Sequence, residues 1–369
     1  MSIVAEQLSI GRRWLVDERR VVLASLIEAQ GSSPFEPGAF MLIDAVGAIE
    51  GSITGGCVES DVVSNALEII ESDGPPRVLH YGVSDELAQT VGLMCGGEID
   101  VLVHELRGAA REVCRQAFDA AGRGETVGIA TLVDGDRAGA KLAIIGESVL
   151  GGFDGPELLD RTVARDLLAL ADRGTNALRH YGGSGEALGR ELTVHLQAFR
   201  APPKLVLVGA IDYSAAVASL AAQSGYEVTI VDAREAFVRA ERFSRVASVH
   251  VGWPGEAIDE RELGPRDAVI VFSHDPKFDE PAIMAALRSE AGYIGALGSR
   301  RTATDRNTRL IASGADSAAL ERVHSPAGLD IGAATPEEVA ISIMAEVIAT
   351  RSGRAGERLI AGAGSIRPR

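Results

Sequence analysis

The sequence predicts an α/β protein in which an N-terminal α+β domain, built from a weak internal duplication, precedes a Rossmann-like domain with a doubly wound parallel sheet. Three observations lead to this fold class. Hydrophobic residues make up 46% of the 369 residues, enough for a sizeable core. One order of strands and helices occurs twice in the first part of the chain. In the second part, apolar strands alternate with helices, as in parallel sheets with crossover helices.

The first half of the predicted duplication spans about residues 20–106. Ahead of it, apolar residues at helical spacing predict an amphipathic helix over 2–18. The sequence VVLASLIEA then predicts a buried strand, and AFMLIDAVGAIEGSI predicts a hairpin with Gly47 near its turn. A glycine-rich elbow opens into a helix that ends at Gly74, and two more strands complete the half.

The second half, about 126–199, repeats this order. His80-Tyr81-Gly82 has a counterpart in His180-Tyr181-Gly182, and we align Gly55-Gly56-Cys57 with Gly151-Gly152-Phe153. A period this long predicts two copies packed into one domain rather than a solenoid. Because phenylalanine replaces cysteine in the second copy, we expect only the first copy to carry a thiol site.

A linker with two prolines, RAPPK, separates the two predicted domains. We place the duplicated domain at 1–199 and the Rossmann-like domain at 204–352. The remaining residues, 353–369, are predicted to form a tail rich in glycine and arginine.

Composition excludes several functional classes. The chain has 36 Lys and Arg against 52 Asp and Glu, and a net charge of −16 disfavours nucleic-acid binding. With no apolar run near the ~18 residues of a membrane span and no signal-peptide core, we expect a cytoplasmic protein without a membrane partner. Three cysteines in so long a chain disfavour a disulfide scaffold, and the absence of close Cys or His pairs disfavours a metal site of the zinc type. Cys114, within a helical pattern, is expected in the core.

The first candidate site is the glycine elbow in GSITGGCVES. Gly55 and Gly56 permit a sharp turn before a helix, so free amides and the positive end of the helix dipole would surround Cys57. Such a field lowers the pKa of a thiol and favours the thiolate. Cys95, in the glycine-flanked loop LMCGGEID, is a second candidate thiol. For both residues the alternative is a small buried side chain beside a tight turn.

The dinucleotide fingerprint of the Rossmann-like domain is incomplete. Gly209 fills the first glycine position, but Ile211 and Ser214 fill the second and third. The second glycine normally lets the backbone approach a pyrophosphate, which an isoleucine side chain obstructs. Asp232 stands 23 residues after Gly209, where an acceptor for a ribose hydroxyl belongs. Gly209 and Asp232 are therefore candidate cofactor residues, although we favour a fold without ordinary NAD(P) binding.

A third candidate lies in YIGALGSRRTATDR, where a strand runs into a helix. Gly298, Ser299 and Arg300, followed by Arg301, combine glycine, a hydroxyl and guanidinium groups at a helix start, which suits a phosphate. A strand-to-helix turn with solvated arginines explains the same residues equally well.

The fourth candidate comprises SHDPKFD and HSPAGLDIG. Ser273, His274, Asp275 and Asp279 follow a predicted strand, and ligands of open α/β sheets bind beyond such strand ends. We assign His274 as a proton carrier or ligand and Asp275 to cofactor binding. His324 is a weaker candidate of the same kind, because a histidine near a strand end is often only hydrogen-bonded.

Together these motifs resemble the xanthine dehydrogenase accessory factor family of the XdhC/CoxI type. They occur in the expected order from about residue 10 to 350. The resemblance implies a chaperone that binds the molybdenum cofactor, assists exchange of an oxo for a sulfido ligand and delivers the cofactor to a molybdenum hydroxylase apoenzyme. It further implies that Cys57 meets molybdenum, since a thiolate suits a soft metal, and that 298–301 grips the pterin phosphate. A sulfur donor protein and a second copy of the chain, as a homodimer, are the other expected partners.

The chain departs from the family pattern at two places. Ile211-Asp212 stands where the family often has Gly-His, and Phe35 stands where we expect arginine. Both changes weaken anion binding. Two rival functions therefore stay open: an NAD(P)-dependent oxidoreductase that uses the Rossmann-like domain, and a structural partner of a hydroxylase complex without a small ligand.

Overall fold

The computed structural model describes residues 3–31, 35–82, 97–238, 243 and 247–361. The chain folds into two compact units, with the boundary between Ala201 and Pro202. In the first unit the elements are α1 (Ile3–Val16), β1 (Val21–Gln30), β2 (Phe40–Asp44), β3 (Ile49–Gly51), α2 (Glu59–Ser72), β4 (Arg77–Tyr81), β5 (Glu98–Glu105), α3 (Gly108–Gly122), β6 (Val127–Leu132), β7 (Lys141–Ile145), β8 (Ser148–Gly151), α4 (Glu157–Arg173), β9 (Ala177–Tyr181) and β10 (Leu192–Phe199).

The two halves of the first unit form two sheets with the same strand order. Over the described residues, one sheet runs β3-β2-β1-β5-β4 and the other β8-β7-β6-β10-β9. Neighbouring strands are antiparallel in both sheets. The predicted α+β character of this part of the chain is confirmed.

The hairpins show that our alignment of the two glycine pairs is wrong. A Cβ on Gly51 would lie 2.4 Å from the carbonyl oxygen of Phe40, and a Cβ on Gly151 would lie 2.5 Å from that of Lys141. Both glycines have positive φ and end the second strand of a hairpin. Gly151 is therefore the counterpart of Gly51, four residues before Gly55.

The corrected alignment changes which residue of the second copy corresponds to each residue near the thiol. Phe153, buried in the core, takes the place of the equally buried Ile53. Helix α2 begins at Glu59, eight residues after its glycine, whereas α4 begins at Glu157, six residues after its glycine. The thiol loop is thus an extra length of chain in the first copy, and Cys57 has no aligned partner in the second.

A shared hydrocarbon core joins the two halves. The first sheet packs one face on α2, and the second packs one face on α4. Their other faces, with α1 and α3, form one cluster that includes Leu23 from the first sheet and Ile129 from the second. Phe40 and Phe199 meet within it edge to face, with ring centroids 5.7 Å apart. Burial of these faces is the main force that holds the copies together.

The second unit contains β11 (Lys204–Val208), α5 (Asp212–Gln223), β12 (Glu227–Asp232), α6 (Glu235–Val238), β13 (Ser248–Val251), α7 (Pro254–Asp259), β14 (Ala268–Val271), α8 (Pro276–Arg288), β15 (Tyr293–Ala296), α9 (Arg300–Ala312), a 3₁₀ turn (Ala319–Arg322), β16 (Val323–His324), α10 (Pro336–Arg351) and a second 3₁₀ turn (Leu359–Ala361). Within the described residues its sheet has the order β13-β12-β11-β14-β15-β16 and is parallel throughout.

This order places helices on both faces of the sheet. Alternate residues of β11 pack toward α5 and α10 on one side and toward α7, α8 and α9 on the other. The strand order reverses between β11 and β14, where open α/β sheets bind ligands beyond their carboxyl ends. The predicted doubly wound, Rossmann-like fold is confirmed. None of the described helices combines the length and apolar character needed to cross a membrane.

Candidate functional site

The loop between β3 and α2 is folded around the carboxylate of Glu59. Across the described residues, seven donors reach its two oxygens at distances between 2.7 and 3.2 Å. They are the backbone amides of Ile53, Thr54, Gly55, Gly56 and Val58 and the hydroxyls of Ser52 and Thr54. The loop therefore carries its own anion.

This arrangement fixes both the charge and the backbone of the elbow. Burial raises the pKa of Glu59, but the hydrogen bonds from Thr54 and Ser52 outweigh it and lower the pKa to about 2. Gly55 and Gly56 have φ of 82° and 117°, a region that side chains disfavour. A Cβ on Gly56 would contact nothing, so conformation rather than space requires glycine there.

The amides that we predicted to be free for a ligand are thus bound to Glu59. Cys57 itself donates its amide to the Thr54 hydroxyl at 3.1 Å. Its side chain is half-buried and packs against the hydrophobic core beside α2. In the chain, Cys57 immediately precedes Val58, the N-cap residue of α2. The elbow therefore presents a thiol on a preset loop, and Gly55 and Gly56 serve it by conformation.

Phe35 borders this loop. Its ring lies 3.5 Å from the position that a Cβ on Gly55 would occupy, and the side chain is 39% exposed. An arginine, which we expected here, would place a cation at the elbow; phenylalanine gives the elbow an apolar neighbour instead.

The other two cysteines differ from Cys57. Cys95 lies outside the described residues, so its predicted role stays a prediction. Cys114 is fully buried on α3, as predicted, and burial raises the pKa of its thiol. In the described ranges, no group of three or more Cys, His, Asp or Glu side chains is placed to hold a metal ion.

In the second unit, the backbone amides of the loop between β11 and α5 donate to groups within that unit. The amide of Gly209 donates to the Val231 carbonyl at 2.8 Å, and that of Ala210 donates to the Asp232 carboxylate at 2.9 Å. The amide of Ile211 donates to the Ser214 hydroxyl at 2.9 Å. A pyrophosphate would have to displace these bonds before it could bind here.

Asp232 is likewise engaged. Its carboxylate is nearly fully buried, and Arg234 binds it through Nε and Nη2 at 2.9 and 2.7 Å. Burial raises the pKa of Asp232, but the hydrogen bonds from Arg234 and from the amide of Ala210 outweigh this. The pKa therefore lies below its usual value, and the carboxylate is charged. The Arg234 guanidinium also lies over the Phe237 ring, 4.1 Å from its centroid. A ribose hydroxyl would have to displace Arg234.

A buried guanidinium contacts the segments that follow three adjacent strands. Arg306 on α9 is fully buried and donates to the Ser325 hydroxyl and the Leu297 carbonyl, both at 2.8 Å. Its Nη2 lies 3.5 Å from the carboxylate of Asp279, also buried. Arg306 thereby ties together segments after β14, β15 and β16.

Sequence reasoning missed Arg306 and chose its neighbours. Arg300 and Arg301 are exposed and form no ion pair with any described residue. A signal existed: Ala303, Arg306 and Leu310 are the buried residues of α9, and they recur at the three- and four-residue spacing of one helix face. A charged residue on an apolar face indicates a buried partner.

The remaining predicted residues take ordinary positions at strand ends. The Ser299 hydroxyl caps α9 by accepting from the amide of Thr302 at 3.1 Å, and Gly298 precedes it with φ of 147°. Asp275 caps α8 by accepting from the amide of Lys277 at 3.2 Å, and His274 is exposed beside it.

His324 belongs to a compact network with Glu346 of α10. Its Nδ1 lies 3.1 Å from Glu346, whose carboxylate also accepts from the Tyr293 hydroxyl at 2.6 Å and the Gly328 amide at 2.7 Å. The His324 and Tyr293 rings stack with centroids 4.6 Å apart. This network pins the HSPAG segment to α10, which favours a structural role for His324.

A polar cluster that sequence reasoning did not single out lies in the core of the first unit. Lys141, His104 and His195 are each at most 2% exposed. Burial lowers the pKa of His195 to about 3 and that of His104 well below its usual value, and the nearby Lys141 lowers both further. These histidines are neutral in the folded protein at neutral pH.

We therefore expect the first unit to lose stability as the pH falls below about 6.5. Unfolded histidines bind protons below that pH, whereas His195 stays neutral in the fold down to about 3. Urea unfolding between pH 5 and 7.5 should show the decline, and His195→Gln should flatten it. His180→Gln, which removes an exposed histidine of the same unit, should leave the slope unchanged; equal slopes in wild type and His195→Gln would contradict the assignment.

Comparison with known proteins agrees with the motifs. The XdhC and CoxI family matches residues 14–82, and the XdhC Rossmann domain matches residues 205–347. A Bacillus subtilis protein, named as a probable xanthine dehydrogenase subunit, is 28% identical over 91% of this chain and 95% of its own length. The Escherichia coli "Molybdenum cofactor insertion chaperone PaoD" is 26% identical over 91% of this chain and 85% of its own.

Among solved structures, a xanthine dehydrogenase from Bacillus halodurans superposes with a TM-score of 0.74. It is 23% identical and covers 98% of this chain and 99% of its own. At that identity the likeness is one of fold. The matched range 14–82 includes the Glu59 loop and its thiol.

Proposed function

Because the chain belongs to the XdhC and CoxI family, we propose that it is an accessory protein of a molybdenum hydroxylase. In this proposal it binds the molybdenum cofactor as cargo, holds it while a sulfur donor protein supplies the sulfido ligand, and inserts it into the apoenzyme. The relative named as a molybdenum cofactor insertion chaperone supports this function, since the alignment spans most of both chains.

The observation that carries the proposal is the preset thiol of Cys57. Glu59 holds the loop through seven described donors, and no aligned cysteine exists in the second copy of the fold. A thiolate suits a soft metal such as molybdenum. Because the loop is ordered by its own carboxylate, the thiol needs no ligand to reach its position.

The same loop does not suit the phosphate of the pterin. Glu59 already occupies the elbow amides, and its negative charge would repel a second anion there. The exposed Arg300 and Arg301 at the start of α9 offer free cations instead. We therefore propose that Cys57 acts on the metal end of the cargo. As a separate proposal for the second unit by itself, Gly298 to Arg301 form a turn suited to a phosphate.

The rival oxidoreductase finds less support in the geometry. The crossover amides after Gly209 and the carboxylate of Asp232 are bound within the unit. A titration with NADH or NADPH, followed by fluorescence, tests this directly. Binding of either nucleotide at micromolar concentration would favour the oxidoreductase. It would show that the ligand can displace Arg234 from Asp232.

Retention of the cofactor tests the role of Cys57. We expect the full chain, mixed with molybdenum cofactor released from a molybdoenzyme, to keep molybdenum through gel filtration. Cys57→Ser should weaken retention about tenfold or more, ~1.4 kcal/mol, because a hydroxyl is a poor ligand for a soft metal. Ser60→Ala, which alters an exposed neighbour on α2, should bind like wild type.

Two results would contradict this proposal. Wild type that elutes free of molybdenum would remove the chaperone function. Equal retention by wild type and Cys57→Ser would leave the function but remove the thiol from it. Circular dichroism of both variants shows whether the fold is intact, so a folding defect would not be mistaken for a lost ligand.

A further inference from the structure

Three polar side chains form one row across the second sheet of the first unit. Thr131 on β6 pairs with Lys141 on β7 and with His195 on β10, so the three lie side by side on one face. It is the face that carries Ile129 and Ala143, which belong to the core shared by the two halves. The Lys141 ammonium donates to the Thr131 hydroxyl at 2.6 Å.

A fourth side chain reaches the row from the first sheet. His104 on β5 pairs with Leu23, so it also faces the shared core. Its ring lies 3.6 Å from where a Cβ on Gly139 would be, two residues before Lys141. We name these four residues, Lys141, Thr131, His104 and His195, the Lys141 cluster.

The hydrogen bonds of the Lys141 cluster are incomplete. Both ring nitrogens of His104 and Nε2 of His195 are buried without a partner in the described structure. Lys141 forms no ion pair with a described residue. The titratable group that reaches it from α3 is the Cys114 thiol, whose own pKa is raised by burial. Buried polar groups left in this state are costly unless something else satisfies them.

We propose that the Lys141 cluster binds a small monovalent anion of the halide class between the two sheets. Each neutral imidazole has one N–H to give, and the ammonium has donors beyond the one spent on Thr131. Burial lowers the pKa of Lys141, and no carboxylate faces it among the described residues to offset this. A bound anion would stabilise the ammonium form, so the cluster would offer it several donors and one positive charge. A monovalent anion completes both the charge balance and the hydrogen bonds.

The surroundings select the size and hydration of this anion. Most of the shared core around the cluster is hydrocarbon, including Phe40 and Phe199, and the buried polar Ser25 and Gln197 lie on the same faces. An ion in such a place loses its water, and that loss costs less for a larger, more weakly hydrated ion. Bromide and chloride are therefore favoured over fluoride, and a divalent sulfate would exceed the single charge of Lys141.

Halide-dependent stability tests the proposal with the full chain. We expect the unfolding midpoint to rise saturably, by roughly 5 °C, when bromide replaces fluoride at constant ionic strength. ³⁵Cl NMR should show line broadening by the protein that bromide reverses. Lys141→Met, which keeps an unbranched side chain one atom shorter and removes the charge, should abolish both effects. Arg161→Met, which removes an exposed cation from α4 of the same unit, should abolish neither.

A crystal soaked in bromide gives the position. An anomalous peak between Lys141 and the ring of His104 or His195 would support the site. The proposal fails if that place holds water alone, or if wild type shows no halide dependence. It also fails if Lys141→Met responds to bromide as wild type does. If that variant does not fold, chloride broadening in wild type still decides, because its absence overturns the site.

Discussion

Replacing Glu59 by alanine is expected to lower the free energy of unfolding of the first unit by about 2–4 kcal/mol. The carboxylate satisfies amides from Ile53 to Val58 at the start of α2. Without it these donors face one another across an empty centre. Hydrogen bonds to a charged group contribute more than neutral ones, but the half-exposed loop admits water, which limits the loss.

Glu59→Ala is also expected to weaken retention of the cofactor, as Cys57→Ser does, although it keeps the thiol. The elbow would no longer hold Cys57 in place, because Thr54, which accepts from the Cys57 amide, itself donates to Glu59. Urea unfolding followed by circular dichroism measures the stability, and gel filtration measures the binding. Glu59→Gln is the matched variant: it keeps the shape and one acceptor oxygen, so its losses should be intermediate. Wild-type stability in Glu59→Ala would contradict this account of the loop.

Acid should act on the same contact. Glu59 has a pKa of about 2 in the fold against an ordinary 4.5. Its contribution to stability is complete above pH 4.5 and is lost as the pH falls toward 2. The Glu59→Gln variant should lack this part of the acid response.

The second large effect is expected at Arg306. Arg306→Met should destabilise the second unit by about 3–5 kcal/mol, because it leaves the buried Asp279 without its cation. It also removes the donors to Ser325 and Leu297, so the loops after β15 and β16 lose their common tie. Thermal unfolding of the full chain reports the loss.

A double variant separates charge from packing. Asp279→Leu combined with Arg306→Met removes both charges, and we expect it to recover much of the stability lost by the single change. If Arg306→Met alone were as stable as wild type, the guanidinium would not be the tie that the geometry indicates. Arg301→Met, an exposed neighbour on α9, should change stability little.

The sequence predicted the fold class because periodicity reports burial. The strands that were found as apolar runs, such as Val21–Gln30 and Lys204–Val208, occur where they were predicted. The elbow also occurs where glycine spacing placed it. Its occupant was not foreseen, because nothing in the spacing of Glu59 shows that a helix residue turns back to meet amides that precede it.

The partners of the buried polar groups were the least predictable part of the fold. Arg306 binds Ser325 and Asp279, which are 19 and 27 residues away in the chain, so the local sequence pattern does not reveal its partners. The register of the two copies failed for a related reason. Repeated glycine pairs suggested one alignment, whereas the strand pairing of Gly51 and Gly151 fixes another.

The core shared by the two copies has a consequence for how the N-terminal unit holds together. Each copy packs one face of its sheet on its own helix, whereas the other faces of both sheets lie in one core that also contains α1 and α3. A fragment ending near Gly122 would lack the second sheet and would expose the apolar surface that packs against it. We expect such a fragment to aggregate. We therefore expect the two halves to unfold as one cooperative unit. The first copy can then carry the functional loop at Cys57, while the second copy contributes to stability.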